Sequence, residues 1–189
     1  VKRILLTIIM VTVVLVGCGT EGDTQSRYNT DVKAASAAGS NTYVFDMTVE
    51  DFTEAFNAVA KKYKLDYLHI SELKEDSNMF QYKFNDNLSM TGTVDSTHKI
   101  QEVMLTGSGG FQEKTGENLM VAIVALIMTT NSDYKFEDAE DVVRDIGLLD
   151  NNADLQDFDF EGATVRNRVK YRIKIKNNDM TTFGIIGAK

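Results

Sequence analysis

Residues 163–176 read "ATVRNRVKYRIKIK". Val165, Val169, Tyr171, Ile173 and Ile175 take one side of an extended chain, and Arg166, Arg168, Lys170, Arg172, Lys174 and Lys176 take the other. A period of two is that of a strand, and an apolar set facing a charged set predicts one buried and one wet face. Such a strand needs partners on both edges. A two-residue turn at Gly162 and Ala163 predicts an upstream strand with Phe160 opposite Val165, Asp159 opposite Arg166 and Asp157 opposite Arg168. A bulged turn at Asn177, Asn178 and Asp179 predicts a downstream strand with Phe183 opposite Ile173 and Ile185 opposite Tyr171. In that register Lys170, Arg172, Lys174 and Lys176 face Ile186, Gly184, Thr182 and Met180, and no acid answers them. An antiparallel sheet with one face in solvent follows.

The remaining elements supply the cover for the other face. In "TVEDFTEAFNAVAKKY", Thr48 caps a helix whose apolar face is Val49, Phe52, Phe56, Val59 and Tyr63, with Asp51 at the capping-box position. Four alternating runs follow, at 67–73, 79–85, 88–94 and 100–106, separated by polar turn residues; they predict a meander. The apolar run from Leu119 to Met128 is too short to span a bilayer, and predicts a helix buried on nearly all sides. "KFEDAEDVVRDIGLL" predicts a third helix, with Phe136, Ala139, Val143 and Ile146 on its apolar face. The expected fold class is α+β: a single domain over residues 42–189, an antiparallel sheet with about three helices packed on one side.

The N-terminus has a different composition. Lys2 and Arg3 precede an apolar run from Ile4 to Val16, then Gly17 and Cys18, the only cysteine in the chain. Charged, apolar and small residues in that order make a secretory signal. A lone thiol in an exported chain forms no internal disulfide and is reactive unless it is consumed. Leu15, Val16, Gly17 and Cys18 resemble the lipobox of bacterial lipoproteins at every position. The resemblance implies a signal peptide over 1–17 recognised by a signal peptidase at Leu15, Val16 and Gly17, and a diacylglyceryl group on Cys18, the first mature residue. It also implies a location on the extracytoplasmic side of a membrane of the cell envelope. Two acyl chains anchor a protein stably where one does so only marginally. Residues 18–41, "CGTEGDTQSRYNTDVKAASAAGSN", are mostly small and polar, and read as a flexible tether.

Charge excludes some functions. The chain has 20 Lys and Arg against 28 Asp and Glu, a net charge of −8; loss of Lys2 and Arg3 takes it to about −10. Nucleic acid is not an expected partner of so acidic a chain. The unanswered row Lys170, Arg172, Lys174 and Lys176 is the candidate partner-binding surface, set against the alternative of a solvated strand face kept charged to prevent edge association.

Other motifs carry less. Asp150, Asn152, Asp154 and Glu161 occupy positions one, three, five and twelve of a calcium loop, but Leu155 stands where the loop needs glycine and a strand follows, so no metal is expected. "GSGGFQEKT" lacks the glycines of a phosphate loop, with Ser108 and Glu113 at those positions. His69 and His98 fall on separate predicted elements with no nucleophile motif nearby, so neither catalysis nor a cofactor is expected. The sequence reads as a non-catalytic binding module, with the membrane as partner through the lipid and a protein or envelope polymer as partner through the domain. The alternative is a carrier or sensor of a small apolar ligand, held in a cavity against the 119–128 helix.

Overall fold

The strand Val169–Lys176 lies second from one edge of a seven-stranded, wholly antiparallel sheet. The structure, a computed structural model, describes residues 46–109, 114–149, 159–177 and 179–188, which belong to one compact unit of the chain. The elements are α1 (Val49–Lys62), β1 (Lys74–Asp76), β2 (Met79–Asn85), β3 (Leu88–Val94), β4 (Ile100–Ser108), α2 (Lys114–Thr130), α3 (Phe136–Asp145), β5 (Phe160–Arg166), β6 (Val169–Lys176) and β7 (Met180–Gly187). Strand order is β1-β2-β3-β4-β7-β6-β5. Two meanders therefore meet at β4 and β7, and the helices between them pack on one face. This is the expected α+β architecture.

Local chemistry accounts for the helix start. The Thr48 hydroxyl accepts from the Asp51 N–H at 3.1 Å, and the Asp51 carboxylate accepts from the Thr48 N–H at 3.0 Å. Each satisfies a donor that the first helical turn leaves without a partner. Phe52, Phe56 and Ala60 are buried, and Phe52 and Phe56 join Phe80 and Phe84 in a chain of ring contacts with centroids about 6 Å apart. In α2, Ala122 to Thr129 are all buried, because this helix has α1 on one side, α3 on the other and β4 beneath it. Alternation on β6 is strict: Val169, Tyr171, Ile173 and Ile175 are buried, and the four cations between them are exposed.

Three expectations are corrected. Residues 67–73 do not form a strand: Asp66–Leu68 is a 3₁₀ turn, and the chain beyond it is held by Asn57, whose side chain bonds both the N–H and the C=O of Ile70 at 2.8 Å. Leu68 and Ile70 are buried with His69 exposed between them, the alternation that a strand would also show; here the segment joins no ladder of the sheet, and the Asn57 side chain satisfies the Ile70 backbone in place of a neighbouring strand. Phe136 is 47% exposed; the core face of α3 is Ala139, Val142, Val143 and Ile146, because the stripe that packs on α2 and β5 begins one turn into the helix.

The third correction concerns the hairpin before β6. Its turn is at Asn167 and Arg168, both at positive φ (50° and 62°), and not at Gly162 and Ala163. Phe160 therefore lies opposite Ile175, Glu161 opposite Lys174 and Val165 opposite Lys170, and Val165 sits on the open face, 57% exposed. A left-handed Asn-Arg turn costs about 1–2 kcal/mol per non-glycine residue. Pairing all of β5 with β6 and placing Phe160 against the core offsets that cost. Gly162 is needed elsewhere: a Cβ there would stand 2.1 Å from the Ile146 carbonyl oxygen, so the glycine lets the end of α3 approach the sheet. The β6–β7 register, Ile173 with Phe183 and Tyr171 with Ile185, is the expected one.

Candidate functional site: the open face of the sheet

With the helices on one face, the other face presents three continuous cross-strand rows. One runs Lys83, Ser89, Thr106, Thr182, Lys174, Glu161. The next runs Gln81, Thr91, Met104, Gly184, Arg172, Ala163, and the third Met79, Thr93, Glu102, Ile186, Lys170, Val165. Apart from Glu102 on β4, the middle of this face is built from hydroxyl groups and small or apolar side chains. Its charge is concentrated toward β5 and β6.

The row Lys170, Arg172, Lys174 and Lys176 does project from this face together, but acids answer two of its members. Arg172 extends over Gly184, whose missing Cβ would lie 3.1 Å from the Arg172 Nε, and its Nη2 reaches the Glu102 Oε1 at 2.5 Å. Lys174 pairs with Glu161 on β5, and the hydrogen bond to that carboxylate raises the Lys174 pKa. The expectation of four unanswered cations fails because it rested on the wrong β5 register and on β7 as the last neighbour. Among the described residues, Lys170 and Lys176 make no ion pair. A concavity of about 580 Å³ lies over this region, between Glu161, Ala163, Lys170, Arg172, Lys174 and Gly184. A second, of about 630 Å³, covers the β2–β3 end and includes Lys74, Gln81, Lys83, Thr91 and Thr106.

The expected Asp159–Arg166 pair is replaced as well. Arg166 bonds Asp145 of α3 at 2.6 Å, while the Asp159 carboxylate accepts from the Asn177 N–H at 3.0 Å. Asp157 lies outside the described residues, as do Cys18 and the residues before it, Leu15, Val16 and Gly17. So do Asp150, Asn152 and Asp154 of the calcium motif; its last member, Glu161, points to the open face and is held by Lys174. Among the described residues no cluster of three metal-ligating side chains occurs, and no helix is long and apolar enough to cross a membrane.

His98 sits in the β3–β4 turn at φ 60°, with its Nδ1 2.8 Å from the Glu75 Oε1. His69 follows the 3₁₀ turn, exposed. The side chains of Ile123, Leu126 and Ile127, in the helix considered as a cavity wall, are fully buried in the core shared with α1, α3 and the sheet.

Sequence reasoning placed Gly184 opposite Arg172, as the structure does, and missed Glu102. The one available signal is a glycine inside an apolar strand, which marks a close approach. That Arg172 approaches it follows from the β6–β7 register; that an acid lies beyond depends on β4 and β7 being neighbours. Comparison with family models, with curated proteins and with solved structures found no match.

Proposed function

We propose that this chain is a lipid-anchored module on the extracytoplasmic side of the cell envelope that works by binding, not catalysis, and that it engages an anionic partner, protein or envelope polymer, on the open face of the sheet. The observation that carries the reading is charge segregation. In a chain of net charge −8, the open face carries Lys74, Lys83, Lys170, Arg172, Lys174 and Lys176 against Asp76, Glu102 and Glu161. Complementary charge steers encounter and sets partner choice. Arg172, Lys174 and Lys83 are engaged within the chain by Glu102, Glu161 and Asp86, which leaves Lys74 at one edge and Lys170 and Lys176 on β6 as the cations available to a partner. Anchoring rests on the lipobox at Leu15 to Cys18.

The test uses full chain and the Lys170→Glu, Lys176→Glu double variant as baits in envelope extract. Neither lysine has an ion pair to lose, so the variant should fold as the wild type does. A partner retained by the wild type, lost by the variant and released by high salt supports the reading. Identical capture by both, or capture indifferent to salt, overturns the role of this face. Separately, Cys18→Ala should leave the chain in the soluble fraction; a variant still wholly in membranes overturns the lipid anchor.

A further inference from the structure

The two edges of the sheet are built differently. At one, β1 is three residues long, and Lys74, Glu75 and Asp76 are all charged and exposed, which is how natural proteins blunt an edge. At the other, β5 runs seven residues, Phe160–Arg166, with an uncharged centre of Gly162, Ala163, Thr164 and Val165 and no proline. The hairpin geometry shows which of its backbone groups are unused among the described residues. The two-residue turn at Asn167 and Arg168 makes Arg166 and Val169 the closing pair, and in such hairpins that pair exchanges both hydrogen bonds. Alternation along the strand then turns the N–H and C=O of Arg166, Thr164, Gly162 and Phe160 toward β6. Those of Glu161, Ala163 and Val165 point away from the sheet.

We propose that the β5 edge pairs with the β5 edge of a second copy of this chain, antiparallel, about a two-fold axis at Ala163. In this register Ala163 meets Ala163 of the copy and Glu161 meets Val165 of the copy, so every outward N–H and C=O of these residues gains a partner. Sliding by two residues leaves some unpaired, and sliding by one puts inward groups opposite outward ones. A two-fold normal to the sheet keeps both open faces on one side.

Charge selects a second copy as the occupant. The strand is acidic at its start, with Asp159 and Glu161, and basic at its end, with Arg166 and, beside Val165, Lys170. Antiparallel self-pairing sets the acidic end of each copy on the basic end of the other. Glu161 comes to lie one strand beyond Lys170 of the copy, across Val165. Arg172 already spans one strand in this way to reach Glu102. Val165 loses its solvent exposure in the same contact. The inference does not depend on the proposed function.

The experiment is sedimentation equilibrium of full chain in density-matched non-ionic detergent, for the wild type, Ala163→Pro and Val165→Glu. Proline at 163 removes an outward N–H that no bond among the described residues uses, as edge strands tolerate; glutamate at 165 faces Lys170 within the chain but in the dimer stands directly opposite Glu161 of the copy, where like charges repel. The expected result is a concentration-dependent dimer for the wild type and monomers for both variants, with unchanged circular dichroism. If Ala163→Pro does not fold, Val165→Glu decides alone. A wild type that stays monomeric up to the highest soluble concentration, or a dimer that survives the change at Val165, overturns the proposal.

Discussion

Arg172 lies across Gly184 to reach Glu102, joining β6 to β4 over the backbone of β7. The pair closes residues seventy positions apart. It is about half exposed on the arginine side, so solvent screening limits its contribution. A double-mutant cycle with Arg172→Gln and Glu102→Gln should give a coupling of about 0.2–1 kcal/mol at low salt that shrinks at 1 M salt. Urea midpoints of the four proteins measure it.

The glycines opposite the two faces should respond differently. At Gly92 a Cβ would stand 2.2 Å from the Phe80 ring and 2.7 Å from the Glu102 carbonyl oxygen, so Gly92→Ala should cost about 1–3 kcal/mol or more through overpacking. At Gly184 the nearest atoms belong to the flexible Arg172 side chain. Gly184→Ala should leave stability within about 0.5 kcal/mol of the wild type. Denaturant unfolding of both variants distinguishes a core contact from a surface lane.

Removal of the α1 cap has a pH signature. Thr48→Ala should cost about 1 kcal/mol. In the wild type the Thr48 N–H, then its hydroxyl, hold the Asp51 carboxyl below its ordinary value near 3.8. A depressed carboxylate contributes stability that is present above the ordinary value and is lost as pH falls through the depressed one. The stability difference between wild type and Thr48→Ala should therefore narrow in acid below about pH 4, as read by thermal midpoints across that range.

Alkaline pH probes the middle of the core. Burial pushes the Tyr171 hydroxyl up to about 12, while the Asn131 Nδ2 donates to it at 2.6 Å. A raised folded value means stability fully present below the ordinary value of 10 and lost as pH rises through about 12. Tyrosinate absorbance should show a late-titrating component near 12 that disappears in Tyr171→Phe, while Tyr67, also raised by burial, remains. The variant should also lose about 1 kcal/mol with the hydrogen bond.

Much of the fold was legible because its signals are local. The 3.6 and 2.0 periods place α1, α2, β2, β3, β4, β6 and β7, and a cap such as Thr48 with Asp51 is written within one turn of helix. The β6–β7 register was legible too, since a short loop and two strictly alternating strands leave one solution that buries Phe183 and Ile185 with Tyr171 and Ile173. These determinants lie within about twenty residues of one another, so the sequence alone specifies them, along with the acidic charge and the resemblance of Leu15 to Cys18 to a lipobox.

The tertiary structure decided what depends on distant contacts. Gly162 looks like a turn residue, yet it is glycine because the Ile146 carbonyl approaches it, and the turn falls on Asn167 and Arg168 instead. Whether Arg172 is a free cation was decided by a crossover that makes β4 and β7 neighbours and puts Glu102 within its reach. Propensity and periodicity describe one residue against its own neighbours in the chain. Register between strands joined by long connections, and the pairing of charges across them, are set by the energy of the assembled sheet, in which a local cost of a kcal/mol or two is outweighed by burying Phe160 and completing a ladder.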